Sequence, residues 1–216
     1  MVRHNSYSKI ETWELSEQTN FQKLVAGVDE VGRGALFGPV VAAAVILPAS
    51  AVPQLTLAGV KDSKRLSPLQ RQRLTHEIQK LAIDWRVGYS TSYEIDQFNI
   101  LQASLLAMKR AIIKLRIKPD LCLIDGKQLV PNLPIPQKTM VKGDERSLEI
   151  AAASIVAKVW RDDLLIRLDA KYPGYDLAAN KGYATQKHRA SLMKLGATRQ
   201  HRMSFSPCQE GRIKEP

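Results

Sequence analysis

Asp29 and Glu30 stand side by side at the end of an apolar run, Leu24 to Val28, and are followed at once by Val31-Gly32-Arg33-Gly34. Asp125 closes a second apolar run, Leu121 to Ile124, and Asp144 follows a third, Lys138 to Val141. An isolated Asp-Glu pair is usually a strand end facing solvent. Acids after three separate core runs are different, because a buried carboxylate without a partner costs several kcal/mol or takes up a proton. Gathered on one edge of a sheet, four carboxylates do not stay charged together without cations. Oxygen ligands without His or Cys favour Mg²⁺ or Mn²⁺ over Zn²⁺. Two such ions about 3.5 to 4 Å apart clamp the attacking and leaving oxygens of a phosphodiester. Consecutive side chains of a regular strand face opposite sides. Glu30 therefore either lies already in the turn, offers its backbone carbonyl, or serves a different metal from Asp29.

The elements that must position these acids read as follows. Leu24 to Val28 is a buried strand, Gly32 and Gly34 give the freedom for a tight turn, and Val40 to Leu47, ended by Pro48, is its antiparallel partner. Ser67-Pro68 opens a helix with Ser as N-cap and Pro at the first helical position, carrying Leu69, Leu74, Ile78 and Leu81. Trp85 to Tyr89 is a third strand. From Ser92 a helix places Leu101, Leu105, Met108, Ile112 and Leu115 on one face and ends before Pro119. Leu121 to Ile124 is a central strand covered on both faces. Lys138 to Val141 is a further strand, and a long helix follows with Ile150, Ala153, Ala157, Trp160, Leu164 and Leu168 on one stripe. Its start, Ala151-Ala152-Ala153-Ser154, permits close approach to a sheet. This order predicts an α/β fold with a mixed sheet, and open sheets of that kind take ligands at strand ends.

The chain of 216 residues carries a formal net charge of +11, which favours a polyanionic partner. Lys181, Lys187, Arg189, Lys194, Arg199 and Arg202 form a basic stretch without an acid, and Lys61, Lys64, Arg65, Arg71 and Arg73 form another against Asp62 alone. No apolar run is long enough to span a membrane, and residues 1–22 have no secretory pattern, so a cytoplasmic address is expected. Those first residues are polar and read as a flexible arm. Cys122 reads as a buried small hydrophobe and Cys208 as a surface thiol. His4, His76, His188 and His201 lack metal-ligand spacing and are expected at the surface or in hydrogen bonds, with His188 the one to test as a proton carrier.

Taken together, Gly27 to Gly34, Asp62-Ser63-Lys64, Ile124-Asp125-Gly126, Lys142-Gly143-Asp144, Ala151 to Val159, Arg161-Asp162 and Lys181-Gly182-Tyr183 resemble bacterial ribonuclease HII, in order, over roughly residues 24–207. The resemblance implies a ribonuclease H-like fold, a mixed sheet flanked by helices, with a C-terminal helical extension. It divides the chain into an arm at 1–22, a catalytic domain at 23–170 and a basic substrate-binding extension at 171–216. It implies a metal-dependent endoribonuclease that acts on the RNA strand of RNA·DNA hybrids and on ribonucleotides embedded in duplex DNA; a monomer is expected. Cleavage 5′ of the ribonucleotide would leave 3′-hydroxyl and 5′-phosphate ends. Asp29, Glu30, Asp125 and Asp144 match the family's catalytic, metal-holding acids, with Mn²⁺ or Mg²⁺ as cofactor. Gly32, Arg33 and Gly34 match the turn whose backbone reads the ribose 2′-hydroxyl, Tyr183 matches the tyrosine that stacks on the neighbouring sugar, and Lys64 joins the substrate-binding set. Ala35, Phe37, Lys127 and Asn180 depart from the family's usual residues, which implies a loop shape and junction preference of the chain's own.

Two rivals remain at this level. Another nuclease on the same fold, such as a junction resolvase, shares the acids but has no use for the glycine turn and Tyr183. A non-catalytic basic nucleic-acid-binding module shares the charge but gives no reason for acids at three strand ends.

Overall fold

The expected hairpin forms as β1 (Val25–Val31) and β2 (Val40–Ile46), paired antiparallel from Ala26↔Ile46 to Val31↔Val41. The structure, a computed structural model, describes residues 23–60 and 66–210. The N-terminal arm and Lys61, Lys64 and Arg65 of the second basic stretch therefore lie outside the described residues. Among those described, five strands form one sheet in the order β3-β2-β1-β4-β5, with β3 at Asp84–Ser90, β4 at Leu121–Asp125 and β5 at Gln137–Met140. The β2–β3 pair is antiparallel, whereas β4 lies parallel to both β1 and β5. The sheet is mixed, as the sequence predicts.

Every residue of β2 is buried, and its Ala42-Ala43-Ala44 centre lets helices approach both faces. The short α1 (Val52–Leu57) leads to α2 (Pro68–Leu81), which opens on a reciprocal capping box between Ser67 and Gln70. Leu74 and Ile78 of α2 are buried, but Leu69, expected on the same face, is exposed because it lies in the first turn ahead of the contact. On one side of the sheet, α3 (Ser92–Ile113) packs Leu105, Met108 and Ile112 against Ala26, Val28 and Ala44. This helix is broken at Asn99, which adopts φ 67° and whose Oδ1 accepts from the N–H groups of Leu101 and Gln102. The break recaps the second half and leaves Leu101 half-exposed.

On the other side, the four-residue α4 (Gly143–Arg146) precedes α5 (Leu148–Asp169), whose Ala152, Ile155 and Val156 pack with Ala43, Val45, Leu74 and Ile78. After α5 come α6 (Leu177–Asn180), α7 (Gln186–Leu195) and α8 (Ser206–Glu210). These close over the 32–39 loop: Phe37 packs with Leu165, Tyr175 and Leu177, and Leu36 with Leu192 and Cys208. Cys208 is thus buried rather than a surface thiol, its S–H directed to the Leu36 carbonyl. No helix among the described residues is long and apolar enough to cross a membrane.

Candidate active site

The parallel register Val28↔Ile124 carries β1 and β4 together to their C-terminal ends, where Asp29 and Asp125 are the next residues. Oxygens of Asp29, Glu30 and Asp125 all lie within 4.8 Å of one another. Asp29 and Asp125 share the sheet face covered by α5. Two residues before Asp29, Gly27 lies against that helix so closely that a Cβ there would be 2.0 Å from the Glu149 carbonyl carbon. This approach brings the Ser154 hydroxyl onto the Asp29 carboxylate. Glu30 remains in the ladder opposite Ala42, so it has not yet entered the turn. Strand alternation points it away from Asp29, yet its longer side chain brings the carboxylate round the strand end into the group.

Burial pushes the Asp29 carboxyl well above its ordinary range, reinforced by the charges of Glu30 and Asp125; the Ser154 hydroxyl and the Glu30 N–H, 2.7 Å from Oδ1, act against this. Glu30 is raised by its own burial and eased by Arg33, whose Nη1 lies 3.0 Å from Oε1. The other oxygen, Glu30 Oε2, is buried and has no hydrogen-bond partner among the described residues. An unsatisfied buried acceptor costs about 1 to 3 kcal/mol, more when charged. A divalent cation among the three carboxylates would satisfy that oxygen and offset the mutual repulsion, and an all-oxygen donor set suits a hard ion. The residues present therefore fit a divalent metal.

Asp144 is placed differently from the expectation. It lies in the first turn of α4 rather than at a strand end, because Lys142, two residues after the end of β5, turns into the left-handed region (φ 55°). Asp144 is buried, and its neighbour Gly143 donates its N–H to Asp125 Oδ1 at 2.7 Å. The structure thus gathers three of the four acids and sets the fourth beside the anchor of Asp125.

The turn after Glu30 is held from beneath. Arg161, fully buried on α5, donates to the carbonyls of Phe37, Pro39 and Lys181. Arg202 donates to those of Gly38 and Arg33 and is equally buried, so it is a scaffold residue and not a member of the phosphate-facing basic stretch. Burial lowers the pKa of both guanidiniums, that of Arg202 to about 9. Arg33 and Gly34 stay exposed on the outer side of the loop.

Tyr183 is set beside this loop: it bridges to Ala35, while Leu36 N–H donates to the Gly182 carbonyl at 2.8 Å. Arg161 and Lys158 lie 5.6 and 5.9 Å from the Tyr183 ring. Asn180, one of the departures from the resembled pattern, clamps the approach, accepting from Gly182 N–H and donating to the Tyr175 carbonyl. His188 and His201 are buried and hydrogen-bonded to each other, so the surface alternative fails for both, whereas His76 is exposed. Lys64 lies outside the described residues. In the sequence Ser154 and Arg161 stand only as members of motifs, and an arginine inside the apolar stretch of α5 is the one available signal of a buried scaffold.

A mixed sheet with helices on both faces, and carboxylates at the ends of adjacent parallel strands, defines a ribonuclease H-like metal-dependent nuclease. The family model for ribonuclease HII matches residues 26–208. Ribonuclease HII of Trichormus variabilis is 65% identical over 191 residues, which is 88% of this chain and 85% of that protein. Ribonuclease HII of Acaryochloris marina is 63% identical over 185 residues, covering 86% and 93%. Among solved structures, the ribonuclease H2 of Pyrococcus horikoshii superposes with a TM-score of 0.75 at 28% identity, covering 87% of this chain and 96% of that one. The chain belongs to the ribonuclease HII family. It is a metal-dependent endoribonuclease acting on RNA–DNA hybrids.

Proposed function

We propose that Asp29, Glu30, Asp125 and Asp144 hold two divalent cations, Mg²⁺ or Mn²⁺, and that the enzyme cuts on the 5′ side of a ribonucleotide, in hybrids and embedded in duplex DNA. Bound cations would supply an activated water and charge stabilisation for the departing 3′-oxygen. The observation that carries this reading is the buried, unpartnered Oε2 of Glu30 within a cluster of three carboxylates.

The chain's own residues perform the selection. Gly32, Arg33 and Gly34 present backbone groups to the ribose 2′-hydroxyl, which both donates and accepts and so marks RNA at a single position. Tyr183, anchored beside that loop, stacks on the adjoining sugar. Exposed Lys187, Arg189, Lys194 and Arg199, with Lys64, grip phosphates, so binding weakens steeply with salt. In this reading residues 23–170 form the catalytic domain, 171–216 the substrate-binding extension, and the enzyme works as a cytoplasmic monomer.

The test is cleavage of a duplex with one embedded ribonucleotide against an all-DNA duplex and a continuous hybrid, with each metal in turn. Asp29→Asn should abolish cleavage while leaving binding largely intact. Unchanged turnover, or equal cutting of all-DNA substrate, would refute the proposal.

A further inference from the structure

His188 and His201, both buried, meet through their Nε2 atoms at 3.3 Å. Their outer nitrogens contact backbone groups whose hydrogen-bonding roles are fixed. The N–H of Thr198 donates to His201 Nδ1 at 2.9 Å, so that nitrogen is bare, and the Thr198 hydroxyl, 3.0 Å from it and accepting from Gln200 N–H, can only turn its own proton toward it. A neutral His201 therefore carries its proton on Nε2. His188 Nδ1 lies 2.9 Å from the Tyr183 carbonyl, which can only accept, so this nitrogen carries the proton and His188 Nε2 is bare. The two assignments, made from opposite ends, agree in the middle: His201 Nε2–H donates to His188 Nε2. One proton more would set two N–H groups against each other or displace Thr198.

The surroundings favour the neutral pair. Burial lowers both pKa values, that of His201 to about 4 with the neighbouring imidazole adding to the effect, and Asp176 is the charge that opposes the shift at His188. Aromatic rings pack around the pair: Tyr175 packs against both imidazoles and spends its hydroxyl on the Gly196 carbonyl, and Phe37 meets His201 edge-on at 4.9 Å. The chain ends on a consequential atom. The Tyr183 carbonyl also accepts from Thr185 N–H, and its residue bridges to Ala35 in the loop beside the acids. At the other end His201 bridges to Phe37 of the same loop.

We infer that His188 and His201 are positioning residues: a directed chain, Thr198 N–H to His201, His201 to His188, His188 to the Tyr183 carbonyl, sets where the Tyr183 ring stands relative to the 32–34 turn. This rests on the reading that Tyr183 contacts the substrate sugar. The pair touches no substrate and carries no proton to it. Its fixed tautomers make the link directional, and its closed hydrogen bonds keep it unchanged over the range in which a free histidine titrates.

The ring nitrogens of the full-length protein, read by ¹⁵N NMR, should show His188 protonated on Nδ1 and His201 on Nε2, with no titration near the ordinary histidine pKa. Reversed tautomers, or ordinary titration of either ring, overturn the chain. In turnover of a duplex with one ribonucleotide, His188→Leu should lower kcat about tenfold with KM little changed, the scale expected for a sub-ångström misplacement. His188→Asn, whose amide can still reach the Tyr183 carbonyl, should recover most of that loss; equal impairment of both overturns the role. In a Tyr183→Ala background, His188→Leu should cost nothing further. A Tyr183→Ala enzyme with unchanged turnover would sink the substrate reading of Tyr183 and the positioning role with it, even with the nitrogens as assigned. Reversed nitrogens beside a sensitive Tyr183 would sink the pair alone. Should His188→Leu fail to fold, the NMR result and His201→Gln, which keeps a donor toward His188, decide the matter.

Discussion

Gly32 lies directly against the side chain of Arg161: at φ +87°, a Cβ on residue 32 would stand 2.1 Å from Nε and 2.7 Å from Cζ. The space under the turn is filled by a guanidinium from α5, so the turn takes its shape from an arginine 129 residues away. That arginine also gathers carbonyls from both the 37–39 segment and the Lys181 end of the Tyr183 loop. Glycine and arginine form one device, and each is required by the other.

Arg161→Lys should therefore be far from conservative. Lysine has one donor head and cannot fork to three carbonyls, and buried carbonyls left unmet cost about 1 to 3 kcal/mol. Denaturant unfolding should show a loss of that size, and cleavage of single-ribonucleotide duplex should fall further than the loss of folded protein explains. Gly32→Ala should do the same, since the left-handed backbone alone costs an alanine about 1 to 2 kcal/mol. A lysine variant as stable and active as the parent would show that the carbonyls are not held this way.

Much of this architecture was legible in the chain. The Ser67-Pro68 cap, the apolar runs of β1, β2 and β4, and the Ala-rich start of α5 each carry a local signal that tertiary packing did not override. The failures share a cause. Arg202 reads as part of a solvated, phosphate-facing stretch, and the surface alternative for His188 and His201 fails while their hydrogen-bonding one holds, because charge or polarity normally means solvent and nothing local reveals that backbone carbonyls or a second imidazole wait inside. Asp144 lies one element beyond the strand end that the sequence predicts, because a left-handed Lys142 gives no pattern in one dimension. Asn99 broke a helix that periodicity read as continuous, since its cap is a side chain acting on its own backbone.

The acid cluster predicts a characteristic pH dependence. Asp29 and Glu30 have native pKa values above their unfolded ones. Between those values the unfolded chain has released protons that the native site retains, so metal-free stability falls as pH rises through that window. Asp29→Asn removes one charge and should be the more stable protein above the window in the presence of a chelator, with the advantage vanishing in acid. Excess Mg²⁺ should stabilise the parent more than the variant. Thermal melts of both proteins against pH, with chelator and with metal, check this; parallel curves would show that the three carboxylates do not repel one another in the native state.

Ser154→Ala should weaken metal use without unfolding the chain. The hydroxyl lowers the Asp29 pKa, so its loss leaves the carboxylate harder to ionise and less firmly oriented. Removing a hydrogen-bond partner from a metal ligand typically costs about 10-fold to 100-fold in affinity or activity. The expected result is a rise in the Mg²⁺ concentration for half-maximal cleavage, largely overcome by saturating metal. Cysteine at this position should restore little, its thiol being a weak donor. A metal titration superposable on the parent's would mean that Ser154 does not orient Asp29.

Gly27 and Gly34 separate packing from reading. A methyl on Gly27 meets backbone on three sides, at 2.0 Å from the Glu149 carbonyl carbon and 2.3 Å from both the Glu149 oxygen and the Ile150 nitrogen. Backbone cannot rotate away as a side-chain tip can, so relief requires α5 to leave β1 and to carry Ser154 from Asp29. Gly27→Ala should destabilise by about 3 kcal/mol or more, the range of severe core overpacking, and its activity should fall with its folded fraction. A methyl on Gly34 meets nothing within 4 Å. Gly34→Ala should change stability by no more than about 0.5 kcal/mol, as exposed substitutions usually do. If the exposed backbone at residue 34 approaches the ribose, that methyl falls between turn and substrate, and cleavage of ribonucleotide-containing duplex should drop while the melting curve stays in place. Full activity in Gly34→Ala would remove residue 34 from the reader and leave Gly32 in the turn for the arginine beneath it.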